Sequence, residues 1–142
     1  MVEVKFYDEV DDRLLEFAVI IAKTDNQWVF CKHRDRETYE IPGGHREKGE
    51  HILDTAKREL YEETGAMIYN IKPICVYSVS SPDQPDKKES FGMLYFADIH
   101  SFEKELHFEI EKLLISKQLV ENWTYPHIQP KLIEEAKRRG YW

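Results

Sequence analysis

Glu59, Glu62 and Glu63 put three carboxylates close together in the segment Glu50–Thr64. On a helix advancing roughly 100° per residue, Ile52, Leu53, Ala56 and Leu60 make one apolar stripe. The three glutamates share one side of that helix, and Glu63 falls at the edge of the stripe. Like charges three or four residues apart cost a helix about a few tenths of a kcal/mol per pair. A hard divalent cation relieves that repulsion, and donors that are all oxygen select Mg²⁺, Mn²⁺ or Ca²⁺. Gly43 and Gly44, just upstream, let the backbone turn sharply and approach a ligand, so a carbonyl there can join the metal. Arg58, beside Glu59, can pair with a carboxylate and fix its direction. An acidic surface helix behind a glycine turn would show the same features one by one, and on those terms the two readings weigh about equally.

The elements that would hold these groups follow from pattern. Leu15–Lys23 (LEFAVIIAK) reads as a buried strand, and Gln27–His33 (QWVFCKH) as its hairpin partner across Thr24-Asp25-Asn26. Pro42-Gly43-Gly44 breaks the chain. The helix over Glu50–Thr64 stops at Gly65. Ala66–Ser80 and Phe91–Ile99 read as strands around the polar loop Ser81–Lys88, and Val2–Tyr7 as a weaker strand. Glu111–Leu119 and Pro130–Arg139 read as helices. Strands surrounding a central helix, with further helices behind, predict a mixed sheet with helices on its faces.

The complete spacing is more specific than its parts. It runs Gly44, five residues, Glu50, seven residues, Arg58-Glu59-Leu60, one residue, Glu62-Glu63, one residue, Gly65-Ala66, preceded by Glu40-Ile41-Pro42-Gly43-Gly44 and Glu47. This resembles the signature of the Nudix hydrolases at every fixed position, with the box at residues 44–66. Ala66 is smaller than the aliphatic residue often found there. The resemblance implies an α/β (α+β) fold, an α/β/α sandwich with a mixed central sheet, formed by residues 1–142 as a single domain. It implies attack of water on phosphorus in a nucleoside diphosphate derivative, with Mg²⁺ (or Mn²⁺) as cofactor. Glu59, Glu62 and Glu63 then correspond to the metal-binding carboxylates, with Glu59 also a candidate to deprotonate the water. Glu50 corresponds to an outer, orienting glutamate and Arg58 to its structural partner, while Gly43 or Gly44 offers a carbonyl to the metal. Many family members use one more acidic residue outside the box. Glu109 is the first candidate here and Glu111 the second, against a solvated role for both.

The 142 residues are 42% hydrophobic and 33% charged, ordinary for a soluble domain, with a net charge of −7. Such a chain is not a duplex nucleic-acid binder working through phosphates. It handles an anionic substrate through a cation. Cys31 and Cys75 sit in apolar runs and read as buried reduced thiols. No apolar run approaches the ~18 residues of a membrane span, and no signal-peptide pattern opens the chain, so no membrane partner and a cytoplasmic location are expected, as a monomer or homodimer. Trp28, Tyr39, Tyr77 and Phe91 are candidates for stacking on a base, against the commoner use of such rings in a core. Asn122 and Asp98 are candidates to hydrogen-bond one. His45 and His51 read as surface residues; Lys32, Arg34 and Arg36 are candidates to touch phosphate, against the commoner solvated role. Trp123-Thr124-Tyr125-Pro126 faintly resembles a segment of some bacterial triphosphatases of the family. The leading expectation is a MutT-type nucleoside triphosphate pyrophosphohydrolase, with 8-oxo-dGTP as one such substrate. The alternatives are hydrolysis of ADP-ribose, a nucleotide sugar, a dinucleoside polyphosphate or an RNA 5′ end, or a non-catalytic nucleotide-binding module.

Overall fold

The computed structural model describes residues 2–84, 86, 88–104 and 110–141. Its elements are β1 (Glu3–Tyr7), β2 (Leu15–Thr24), β3 (Gln27–His33), β4 (Gly43–His45), α1 (Ile52–Thr64), β5 (Ala66–Ser80), β6 (Ser90–Phe102), β7 (Ile110–Ser116) and α2 (Gln129–Arg138), with a short 3₁₀ turn at Asp12–Leu14. The strands form one mixed sheet in the order β1-β5-β6-β2-β3-β7, and β4 pairs with β2. The β2–β6 pairing is parallel, and the other strand pairs are antiparallel.

Side-chain alternation along β2 explains the layering. Ala18, Ile20 and Ala22 point to one face, where they pack with Ala97 and Ile99 against Ala56 and Leu60 of α1. Val19 and Ile21 point to the other, where they pack with Phe30 and Leu94 against Leu132, Ile133 and Ala136 of α2. A strand covered on both faces needs no polar side, which is why LEFAVIIAK reads as a continuous apolar run. The fold is therefore an α/β/α sandwich around a mixed sheet. The β2–β3 turn has left-handed backbone at both Asp25 and Asn26, as a two-residue hairpin turn requires.

One predicted element is wrong. Glu111–Leu119 is not a helix: Ile110–Ser116 is the strand β7, antiparallel to β3 from Trp28↔Ser116 to His33↔Ile110. Lys-Leu-Leu-Ile suits either state locally, and the open edge of β3 decides for the strand. The central helix also begins at Ile52 rather than Glu50, because the Glu50 carboxylate turns back to bond the Glu47 N–H and the Thr55 hydroxyl. Both cysteines are free and buried, and burial pushes the Cys75 thiol up to about 11. Among the described residues no helix is long and apolar enough to cross a membrane.

Candidate active site

The box folds into β4, a loop and α1. Gly43 and Gly44 pair with Val19 and Ala18 of β2, and this contact explains the first glycine: a Cβ on Gly43 would stand 2.7 Å from the Ala18 carbonyl oxygen. The second glycine answers to α1, since a Cβ on Gly44 would stand 2.6 Å from both carboxylate oxygens of Glu59. The helix ends at Gly65, whose left-handed backbone donates its N–H to the Tyr61 carbonyl.

Arg58 organises the outer half of the site. Its Nε donates to Glu50 Oε2 at 2.7 Å, one terminal nitrogen to Glu59 Oε1 at 2.6 Å and to Glu62 Oε2 at 3.3 Å, and the other to the His45 carbonyl at 2.9 Å. The Arg58 guanidinium, with Thr55 and the Glu47 N–H, holds the Glu50 carboxyl down at about 2. Arg58 itself is pushed up, first by its bond to Glu50.

Glu63 is buried and held from the sheet side. Its Oε1 accepts from the Gly43 N–H at 2.6 Å and its Oε2 contacts His33 Nε2 at 2.9 Å. That bond to Glu63 raises the His33 pKa. Beyond His33, the buried Glu40 accepts from Arg36 at 2.9 Å, and its carboxyl is raised by burial. Burial, and then the charge of Glu63, push the Glu59 carboxyl up to about 7 against the pull of Arg58. Carboxylates cornered in this way call for a proton or a cation, and the converging donors are hard oxygens with no room for a Cβ between Gly44 and Glu59. The residues therefore fit a hard divalent ion.

Two hollows meet here. A trough of about 540 Å³ runs over Arg58, Glu59 and Glu62. A cleft of about 440 Å³ is lined by Phe17, Tyr77, Tyr125, Glu40 and Gln129, among others. The two share His33, Gly43, Gly44, His45 and Glu63.

The structure thus brings Glu59, Glu62, Glu63, Arg58, Gly43, Gly44 and Tyr77 together. The other aromatic candidates stand outside the cleft lining. Trp28 packs in the core under Lys23, whose ammonium lies 4.4 Å from its ring centroid. Tyr39 bridges to Trp123 and also packs in the core, and Phe91 packs on Tyr7. Asn122 donates to the Glu37 carbonyl, and Asp98 pairs with Asn70 and Lys23 across the sheet. Neither lines the cleft. Glu109 falls outside the described residues; Glu111 is on β7, next to His33's partner Ile110. Sequence reasoning missed His33, Glu40, Phe17, Tyr125 and Gln129, and weighed Arg36 as a phosphate contact rather than as the partner of Glu40. Only Glu40 carried a signal, as the start of the run into the glycines, and Tyr125 lay within the faint Trp123–Pro126 resemblance.

A helix of carboxylates laid across a mixed sheet, with a glycine strand beneath it, is an arrangement able to hold a hard divalent cation. The NUDIX domain family model matches residues 12–135, and the chain belongs to the Nudix hydrolase family. It is 32% identical over 122 residues to YtkD of Bacillus subtilis (strain 168), provisionally described as an 8-oxo-dGTP diphosphatase, covering 85% of this chain and 74% of that protein. Among solved structures it resembles the Bacillus subtilis pyrophosphohydrolase BsRppH, crystallised as a mutant. The TM-score is 0.79 at 27% identity, covering 99% of this chain and 92% of that one. A UDP-X diphosphatase shares the fold at a TM-score of 0.71 and 19% identity, over 88% of this chain and 62% of that one. Members of this family hydrolyse phosphoric anhydride bonds in small nucleotides and generally use divalent metal ions.

Proposed function

We propose that residues 1–142 form one MutT-like domain that hydrolyses nucleoside triphosphates to monophosphate and pyrophosphate with Mg²⁺ (or Mn²⁺), in the cytoplasm, as a monomer or homodimer. The observation that carries this reading is the continuity of the carboxylate trough with an aromatic-walled cleft of about 440 Å³, within the range of small-molecule sites. The base enters between Phe17, Tyr77 and Tyr125, and the phosphates pass over Gly43 and Gly44 toward α1. The 8-oxo-dGTP described for YtkD and the pyrophosphate chemistry named for BsRppH point the same way.

In this reading Glu59, Glu62 and Glu63 hold the metal, with a carbonyl from Gly43 or Gly44, and Glu109 is a fourth carboxylate from outside the box. When bound, the cation neutralises the polyphosphate and lowers the pKa of the attacking water. Glu59 takes the proton of that water. Arg58 keeps Glu59 and Glu62 aimed, and His33 with the Gly43 N–H fixes both oxygens of Glu63.

A second reading has one observation in its favour. An open groove of about 760 Å³, lined by Asp12, Arg13, Leu15 and Glu16 and from His45 to His51, adjoins the trough through His45, Arg46 and Glu47. That space would take a leaving group larger than pyrophosphate, as in ADP-ribose, a dinucleoside polyphosphate or an RNA 5′ end. A non-catalytic module is disfavoured by the intact carboxylates of the box. Steady-state kcat/KM across 8-oxo-dGTP, dGTP, ATP, ADP-ribose and a diadenosine polyphosphate, with products identified by mass, tests the assignment. A triphosphate giving monophosphate and pyrophosphate is expected to lead. ADP-ribose or the diadenosine compound ahead of every triphosphate by about tenfold, or 1.4 kcal/mol of transition-state binding, overturns it in favour of the second reading.

A further inference from the structure

Three side chains in the cleft each keep a hydrogen-bonding atom that the protein does not use. Glu40, Gln129 and Tyr77 are 6%, 5% and 3% exposed. Glu40 Oε1 accepts from Arg36 and lies 3.7 Å from His33 Nε2, while Oε2 has no hydrogen-bond partner among the described residues. Gln129 Oε1 accepts the Ile41 N–H at 2.9 Å. Only an oxygen can accept there, so the amide has one orientation and its NH₂ is left over. The Tyr77 hydroxyl has no partner among the described residues either. No fully enclosed polar side-chain atom of the described residues lacks a partner. Each of these three atoms therefore reaches solvent, and the opening is the cleft that all three side chains line.

Near-buried polar atoms that reach solvent only through a cleft can exchange their water for the hydrogen-bonding groups of a ligand. We propose that Glu40 and Gln129, with Tyr77 beside them, read the hydrogen-bonding edge of the base and select a 6-oxopurine nucleotide. This rests on the reading of the cleft as the nucleoside site. A carboxylate oxygen only accepts and an amide NH₂ only donates. A 6-oxopurine presents an acceptor, O6, next to a donor, N1–H, and guanine adds a second donor at its 2-amino group. O6 takes the Gln129 NH₂, and N1–H with the 2-amino group takes the ionised Glu40 oxygen. Adenine in the same seat sets its N1 lone pair against that oxygen and its 6-amino group against the Gln129 NH₂. Both juxtapositions are repulsive, so the wrong base is rejected as well as the right one held. Phe17, Tyr77 and Tyr125 contribute ring faces that do not discriminate between bases.

The test is equilibrium binding of GMP, IMP and AMP to the full chain with Mg²⁺, in the wild type and two variants, with folding checked by circular dichroism. The wild type is expected to bind GMP about tenfold or more tighter than AMP, the discrimination one well-made base-edge contact provides, with IMP between. Glu40→Gln keeps the shape, adds a donor and erases the preference. Gln129→Glu keeps the acceptor for Ile41, turns the open donor into an acceptor and moves the preference toward AMP. Equal binding of GMP and AMP by the wild type overturns the proposal, and so does an unchanged GMP preference in Glu40→Gln. Should Glu40→Gln not fold, an unmoved preference in Gln129→Glu overturns it alone. Monophosphate binding needs no turnover. Failure of the triphosphatase reading shows separately, as no metal-dependent pyrophosphate release from any triphosphate.

Discussion

At the scale of single residues, the site divides its box carboxylates between two holders: Arg58 grips Glu50, Glu59 and Glu62, while the sheet side grips Glu63. Glu50 is spent on Arg58 and Thr55, Glu59 on Arg58, and Glu63 on Gly43 and His33. Glu63→Gln removes a charge and keeps the shape, so kcat is expected to fall about a hundredfold or more while the thermal midpoint stays near the wild-type value. Near-normal turnover would put the metal elsewhere. Gly44→Ala forces a Cβ to within 2.6 Å of the Glu59 oxygens. It is expected to cost about 1–3 kcal/mol of stability by overpacking and to raise the Mg²⁺ concentration needed for half-maximal rate. A metal titration of the folded variant checks this, and an unshifted midpoint contradicts it. Glu109→Gln is expected to slow turnover more than Glu103→Gln, since Glu103 is already bonded to the Tyr61 hydroxyl at 2.9 Å. Equal, small effects would return Glu109 to the surface.

Among the elements, α1 was the most legible. Its apolar stripe, its carboxylates and its Gly65 stop are all local signals, and a helix of this kind is set by its own periodicity. The strand β7 was not legible. Its residues suit either state, and the choice belongs to the unpaired edge of β3, nearly eighty positions earlier in the chain at closest pairing. Of the aromatic-walled cleft only Tyr77 was singled out in the sequence as a ring to stack, and the rest was illegible for the same reason. Phe17, Glu40, Tyr77, Tyr125 and Gln129 come from β2, the loop before β4, β5, the approach to α2 and the first residue of α2, and no spacing in the sequence links them. The loop ahead of α1 is tied to the helix by Glu50 and Arg58. Glu50 is depressed to about 2 in the folded chain from an ordinary 4.5. Its carboxylate therefore contributes stability that is fully present above about pH 4.5 and is lost as the pH falls toward about 2. The stability difference between the wild type and Glu50→Gln is expected to be largest near neutrality and to shrink across that window. Denaturant melts at a series of pH values measure it, and a difference independent of pH would mean the pair contributes nothing through its charge.

For the whole molecule, an acidic chain must meet a polyanion, and the reaction is expected to depend wholly on the divalent ion. Activity on every nucleotide should vanish in excess EDTA and return with Mg²⁺ or Mn²⁺ in excess over the chelator. Full turnover in EDTA would remove the basis of the site. The sandwich itself was legible as a class, because strands flanking one amphipathic helix leave few ways to cover a sheet. Its strand order was not, since the pairing of β2 with β6 has no local signature.

That pairing also governs how the chain reaches its fold. The two strands at the middle of the sheet run parallel, and the bond from the Thr24 hydroxyl to the Ile99 carbonyl joins residues 75 positions apart. The β2–β3 hairpin closes over a two-residue turn and β5–β6 over residues 81–89, and both connections are local enough to form early. The seam between them closes only after a long stretch of chain, including α1, has been ordered. The rate-limiting event in folding is thus expected to be the docking of two preformed hairpins, in the slower range for a chain of this size. Substitutions along the seam, such as Ile20→Val, should slow refolding, while those at the Asp25-Asn26 turn should act mainly through the stability of one hairpin.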